Sequence, residues 1–286
     1  MSFPPCGPLV RSDAEIAHPK DLEGRKVGVR AYSLTTEVWT RGLLQEEFDL
    51  ENSAVTWVFD DEEHAREMPL PTNVEHTRPG VSLYDMMAAG DLAASFSSNA
   101  GIGRTDYPTG GWQVTKTDQW PDLFPNAETL EAEWYARICI CPIQGTIVVK
   151  DRMLAKHPWI TKSLFDTLER SKQPRSEDLH ASRAETPGDR NYLVLTKIVG
   201  PDLLSNDMAA NRSTVEALER IAAGQRLTPR RMALKRSSWS PKPEAWHDTR
   251  SGSGAQLPKP GRKGDGEKQD HPAHHCIGAP APDRGR

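Results

Sequence analysis

Arg30, Tyr32, Ser33, Thr35 and Thr36 crowd into a few residues of the stretch GRKVGVRAYSLTTEVW, positions 24–39. Side chains of these types receive anions. A guanidinium forks onto a carboxylate, and the amides and hydroxyls that open a helix take further oxygens. Lys26 to Tyr32 reads as a buried strand that breaks at Ser33 and continues as a helix, with Arg30 and Tyr32 on one strand face. A phosphate loop does not fit. Gly24-x-x-x-Gly28 is not G-x-G-x-x-G, and no Gly-Lys-Ser/Thr opens the helix. The same residues read equally as a surface charge beside helix-capping hydroxyls. A second cluster, Asp60-Asp61-Glu62-Glu63-His64, follows the next apolar run. Glu62, Glu63 and His64 could exchange protons with a ligand, or the run could be a solvated loop. No G-x-S-x-G elbow or H-E-x-x-H pair occurs.

The elements that would position these groups follow from periodicity. The helix after Ser33 carries Leu34, Val38, Leu44 and Phe48 on one face and Trp39 and Leu43 on the opposite flank, so it should be sandwiched. Val55–Phe59 and Leu92–Phe96 read as strands, and residues 69–80 as a Pro-rich loop. Leu83, Met86 and Met87 mark a short helix stopped by Gly90. Residues 97–121 have no period and read as a loop. A helix is expected over Ala127–Ile138, then a strand-like run to Val149 interrupted by Pro142 and Gly145. Ile160, Leu164 and Leu168 indicate a further helix, residues 172–190 a loop, and Ser213 to Gly224 a capped helix. Alternating strands and helices predict an α/β fold with a mostly parallel sheet. Ligands of such sheets sit at the carboxyl ends of the strands.

Composition narrows the classes. The chain has 286 residues, a net charge of −4 and a mean hydropathy of −0.64, which is no footprint of a nucleic-acid binder. It holds no apolar run of membrane-spanning length and no basic-then-apolar leader, so a cytoplasmic location is expected. Cys6, Cys139, Cys141 and Cys276 form no C-x-x-C pair and read as reduced thiols. From about Lys235 large apolar residues nearly vanish. Residues 235–286 carry +4 against −8 over 1–234, and this tail is expected to be disordered. A metal role for its His271, His274, His275 and Cys276 would need ligands from two ordered arms.

Several segments, in order, resemble 4,5-dihydroxyphthalate decarboxylases. They are KDLEGRKVGVRAYSLTTEVWTRGLLQEEF, VTWVFDDEEHARE, the Pro71-Thr72-Asn73-Val74-Glu75 loop, PDLFPNAETLEAEWYARICICPIQGTIVVKDRMLAKHPWITKSLFDTLE and NRSTVEALERIAAGQRLTPRRM. The resemblance covers about residues 13–232. It implies a type 2 periplasmic-binding-protein-like α/β fold with a ligand cleft between two lobes. The expected division is a frayed start at 1–19, a largely complete lobe at 20–140, the mostly helical returning segment of an incomplete lobe at 141–234, and the tail at 235–286. The implied reaction is non-oxidative decarboxylation of 4,5-dihydroxyphthalate to protocatechuate, with no redox cofactor. Its ligand is a small aromatic carboxylate, and neither nucleic acid nor membrane is involved. Under this resemblance Arg30, Ser33, Thr35, Thr36, Gln144 and Thr146 bind substrate, and Tyr32 and His64 move protons.

Three departures stand out. Where family members read Pro-Ile-x-His-Thr, this chain reads Pro142-Ile143-Gln144-Gly145-Thr146. The resemblance also implies a further N-terminal segment, so one lobe is expected to be incomplete in this sequence, and the tail is unlike the family's ending. The alternatives are therefore a solute-binding relative without catalysis, or a truncated and inactive remnant. The remnant would expose an apolar face and oligomerise.

Overall fold

In the computed structural model, residues 7–63, 65, 67–97, 100–102, 104–105, 113–114, 117–181, 186–200, 202 and 205–232 are described. The tail from 235 and His64 lie outside them. Two units divide the chain: residues 1–148 with 212–234, and residues 149–211 with 235–286.

The apolar run after Gly24 lies at the centre of the first unit's sheet. Strands β1 (Pro8–Val10), β2 (Lys26–Val29), β3 (Thr56–Phe59), β4 (Val74–His76) and β5 (Ala94–Phe96) take the order β1-β5-β2-β3-β4. β2 pairs in parallel with both β3 and β5, β3 pairs in parallel with β4, and β1 alone runs antiparallel to its neighbour β5. The α/β expectation holds. Both faces of such a sheet must be covered. Trp57 and Phe59 of β3 face one side, where Val27, Val29, Leu44 and Phe96 complete a core. Val58 faces the other, where Leu83, Met87 and Leu92 pack. Two strands escaped the periodicity. Residues 8–10, read as part of a frayed start, are fully buried β1, and Val74–His76 of the Pro-rich loop form the edge strand β4. A further two-stranded ribbon joins β6 (Arg104–Thr105) to β7 (Gln113–Val114) within the region read as loop.

Helix α1 (Thr35–Phe48) is sandwiched, as its two apolar flanks require. Leu44 and Phe48 meet the sheet core, while Val38, expected on their face, instead joins Trp39 against Ala217 and Ile221. The last two belong to α7 (Met208–Gly224), which starts five residues earlier than the capping signal at Ser213 suggested. Helix α2 (Leu83–Ala89) has a Ser82–Asp85 capping box and stops at Gly90 in a left-handed conformation. Helix α3 occupies Ala127–Ile138, and Cys139 ends it. The expected strand to Val149 does not form. Residues 139–150 have no regular structure, and Ile147 and Val148 are 62% and 86% exposed. Cys139 is disulfide-bonded, so it is not the reduced thiol expected of it, whereas Cys141 is free.

The second unit is helical: α4 (Asp151–Lys156), α5 (Ile160–His180) and α6 (Pro187–Val199). The expected loop at 172–190 is thus mostly helix. Pro174 and the density of charge disguised it. Within the unit Arg175 pairs with Asp189 and Lys172 with Glu169 and Asp202.

α1 and α7 approach closely at one glycine. A Cβ on Gly42 would lie 2.6 Å from Ile221 Cγ2. Gly42→Val should lower stability by about 1–3 kcal/mol through overpacking. Adding Ile221→Ala should recover part of the loss in a denaturation double-mutant cycle; additive losses would refute the contact.

Candidate functional site

Parallel pairing sets the site. Because Val29 and Phe59 are register partners, the chain leaves β2 and β3 at the same edge. The loop after β3 therefore meets the residues that follow β2. Arg30 donates its amide to Ala100 O at 2.9 Å and accepts from the Asp61 amide at 3.2 Å. Its Nε donates to Asp61 Oδ2 at 2.9 Å, with the two side chains only 16% and 8% exposed.

Beside this pair, the Glu63 carboxylate accepts from the amides of Tyr32 and Ser33 and from the Ser33 hydroxyl, the Ser33 amide lying at 3.0 Å. A carboxylate on consecutive amides at a helix entrance is the arrangement the sequence suggested for a ligand. Here a side chain of the protein occupies it. The N-cap residue of α1 is Leu34, which makes no side-chain cap, so Ser33 is turned to Glu63 rather than to the helix.

Thr36 and Gln144 are also brought together. Thr36 Oγ1 donates to Gln144 Oε1 at 3.3 Å, and Trp39 Nε1 donates to Ile143 O at 3.0 Å. Thr35 is half-buried in the first turn of α1, and Thr146 is exposed. Tyr32 goes inward instead. It is 2% exposed, its hydroxyl donates to Gln225 O at 3.3 Å, and burial raises its pKa.

Beneath these residues lies a buried polar group that periodicity did not reveal. Arg41 is fully buried and stacks its guanidinium 4.0 Å from the Tyr32 ring centroid. It donates to Tyr32 O at 2.6 Å and to Gln225 Oε1 at 2.7 Å and 3.1 Å. Gln225 in turn donates to Val38 O at 2.8 Å. Glu37, one turn earlier, is 0% exposed. Neither of its carboxyl oxygens has a hydrogen-bond partner among the described residues, nor does Arg41 Nη1. Burial pushes Glu37 up to about 8, opposed by its own amide and by the charges of Arg41 and Arg30. Glu37 and Arg41 stand four apart, the spacing common to exposed helix ion pairs. The available signal was the apolar residue on both flanks of α1, which leaves that pair no solvent to face.

A cavity of about 280 Å³ lies elsewhere, between α1 and α3, lined by Leu43, Phe48, Phe124, Leu130 and Trp134. Its charges are Glu47, Glu131 and Glu133 against Arg137, which Glu47 holds at 2.7 Å. Burial pushes Glu131 up to about 7, and with Arg137 committed to Glu47 the described lining offers an acid no free cation. No group of metal-ligating residues occurs among those described. Nor is any described helix long and apolar enough to cross a membrane.

No family model matches the chain. It is 27% identical over 234 residues to a 4,5-dihydroxyphthalate decarboxylase of Comamonas testosteroni, covering 78% of this chain and 68% of that protein. This chain resembles 4,5-dihydroxyphthalate decarboxylases. A second protein of that name, from Pseudomonas putida, is 36% identical over 98 residues, covering 32% of this chain and 38% of its own length. The resemblance read from the ordered segments is thus matched by curated relatives.

Glu37 gives the site a pH signature. Its folded pKa of about 8 stands above the ordinary 4.5, so its contribution to stability is fully present below about pH 4.5 and lost as pH rises through about 8. Glu37→Gln should therefore gain melting temperature relative to wild type across that window. A constant difference would show that Glu37 ionises normally.

Proposed function

We propose that this chain is a member of the 4,5-dihydroxyphthalate decarboxylase family with a type 2 periplasmic-binding-protein-like fold. Its reaction is the non-oxidative decarboxylation of 4,5-dihydroxyphthalate to protocatechuate and carbon dioxide. The observation that supports this reading is the Glu63 carboxylate on the Tyr32 and Ser33 amides beside the Arg30–Asp61 pair. Those donors suit a carboxylate, a ligand acid taking them by displacing Glu63, and the names of the relatives supply the acid. The chain spans about two thirds of one relative and 38% of the other, so the activity of the whole protein is part of the proposal.

The chemistry sets the needs. A proton must reach the ring carbon that bears the departing carboxylate, the C–C bond electrons return to the ring as carbon dioxide leaves, and a hydroxyl para to that carbon gives electrons if its proton is taken. Arg30, Ser33, Thr35, Thr36, Gln144 and Thr146 are assigned to hold the retained carboxylate and the hydroxyls. Tyr32, with its hydroxyl committed to Gln225 O, suits a wall of the site better than proton transfer. That leaves His64, outside the described residues, as the proton carrier proposed from the sequence.

Gly145 in place of the family's histidine favours a second reading, a binder of aromatic acids without catalysis. One experiment separates them. Purified protein is incubated with 4,5-dihydroxyphthalate, protocatechuate is quantified, and melting is followed with and without the acid. Turnover supports the enzyme; a stabilising shift without product supports the binder. Arg30→Lys keeps a charge for Asp61 but loses the fork. It should lower kcat/KM about tenfold to 100-fold, the worth of a charged hydrogen bond. Unchanged kinetics would remove Arg30 from the site.

A further inference from the structure

Glu37 has no task in the reaction just described, yet it is the buried acid nearest the proposed anion site in sequence. It sits in the first turn of α1 with Thr35 and Thr36. Its side chain feels Arg30 from the end of β2 and Arg41 from its own helix. Arg41 in turn feels Tyr32 and Glu63, and Arg30 is held by Asp61. Two guanidiniums thus stand among three carboxyl groups. If Asp61, Glu63 and Glu37 were all ionised, negative charge would exceed positive before any ligand arrived. A dicarboxylate would then enter a site already carrying the wrong sign.

We propose that Glu37 is a positioning residue that must hold its proton for an aromatic dicarboxylate to bind at the start of α1, so that ligand binding and protonation of Glu37 are coupled. The proposal rests on the acid-binding reading above. The geometry supplies the reason. The Glu37 carboxyl has no exposed surface and neither oxygen makes a full hydrogen bond among the described residues, so against burial its ionised form has only its own amide, the Arg30 amide and the charges of Arg41 and Arg30. As a neutral acid it leaves the field of Arg30 and Arg41 to the incoming anion. Once ionised it draws on both guanidiniums, and Arg41 Nη1, itself buried without a partner, is the donor at hand. The ligand's charge and the Glu37 charge therefore compete for one pair of cations.

Linkage fixes the sign. If an ionised Glu37 weakens the ligand, the ligand raises the proton affinity of Glu37 by the same factor. Affinity should be flat while Glu37 is neutral. As pH rises through the range where Glu37 ionises, affinity should fall by at most about tenfold per pH unit, the slope for one linked proton.

The test uses phthalate, which has the two carboxylates but not the ring hydroxyls the reaction needs. Calorimetric titrations from about pH 7 to about pH 9, in buffers of different ionisation enthalpy, measure affinity and proton uptake together. Wild type should take up a fraction of one proton, largest near the upper end, while its affinity falls. Glu37→Gln should take up none and bind with nearly constant affinity. Uptake that persists in Glu37→Gln, or wild-type binding without uptake and without pH dependence, overturns the proposal but leaves the acid site standing. No binding of phthalate at any pH overturns both. Should Glu37→Gln fail to fold, Glu37→Ala carries the same attribution, and wild-type binding without uptake overturns the proposal by itself.

Discussion

A buried guanidinium holds the first unit together. Arg41 has no access to water, and a charge so placed is tolerated only when paired and hydrogen-bonded. Its donors go to the Tyr32 carbonyl after β2 and to the Gln225 side chain after α7, and its face lies on the Tyr32 ring. The strand exit, the helix that follows it and a segment from much later in the chain thus meet at one side chain. The direction in which Ser33 to Thr36 leave the sheet follows from that meeting.

The same constraint ties the polar groups of the site to the path of the chain. Tyr32 cannot turn outward without giving up the Arg41 contacts and its own bond to Gln225. With Tyr32 pinned, the next amides point at the loop after β3, where Glu63 and Asp61 lie. Trp39 and Thr36 hold residues 143–144 against the other flank of α1. Most of these anchors are hydrogen bonds to or from backbone, so the arrangement depends on the path of the chain as much as on residue type.

Much of this was legible in the sequence. The strand run at Lys26, the helix after Ser33 and the acidic cluster after Phe59 were read from period and turn chemistry, and parallel pairing brought them to one edge. Pro8–Val10 was missed because three residues carry no periodicity. Residues 172–180 were missed because Pro174 and dense charge look like a loop, while ion pairs to Asp189 and Asp202 support a helix there. The Glu37–Arg41 pair was invisible for a different reason. Whether two charges four apart face water depends on what covers the helix, and Gln225 comes from nearly two hundred residues away.

That last separation shapes how the chain is made. Arg41 and Gln225 lie 184 residues apart. At a ribosomal pace of about 5–20 residues per second, roughly 10–40 s pass between the synthesis of one and of the other. The residues of β3, β4 and β5 are made within that interval, but the partner that allows Arg41 to be buried comes only at its end. The helix cannot dock fully without stranding a charge in the core. Val38 and Trp39 lack their cover from α7 until Ala217, Ile221 and Gln225 are made. In this chain the last-made part of the unit closes the layer that its first-made part opens.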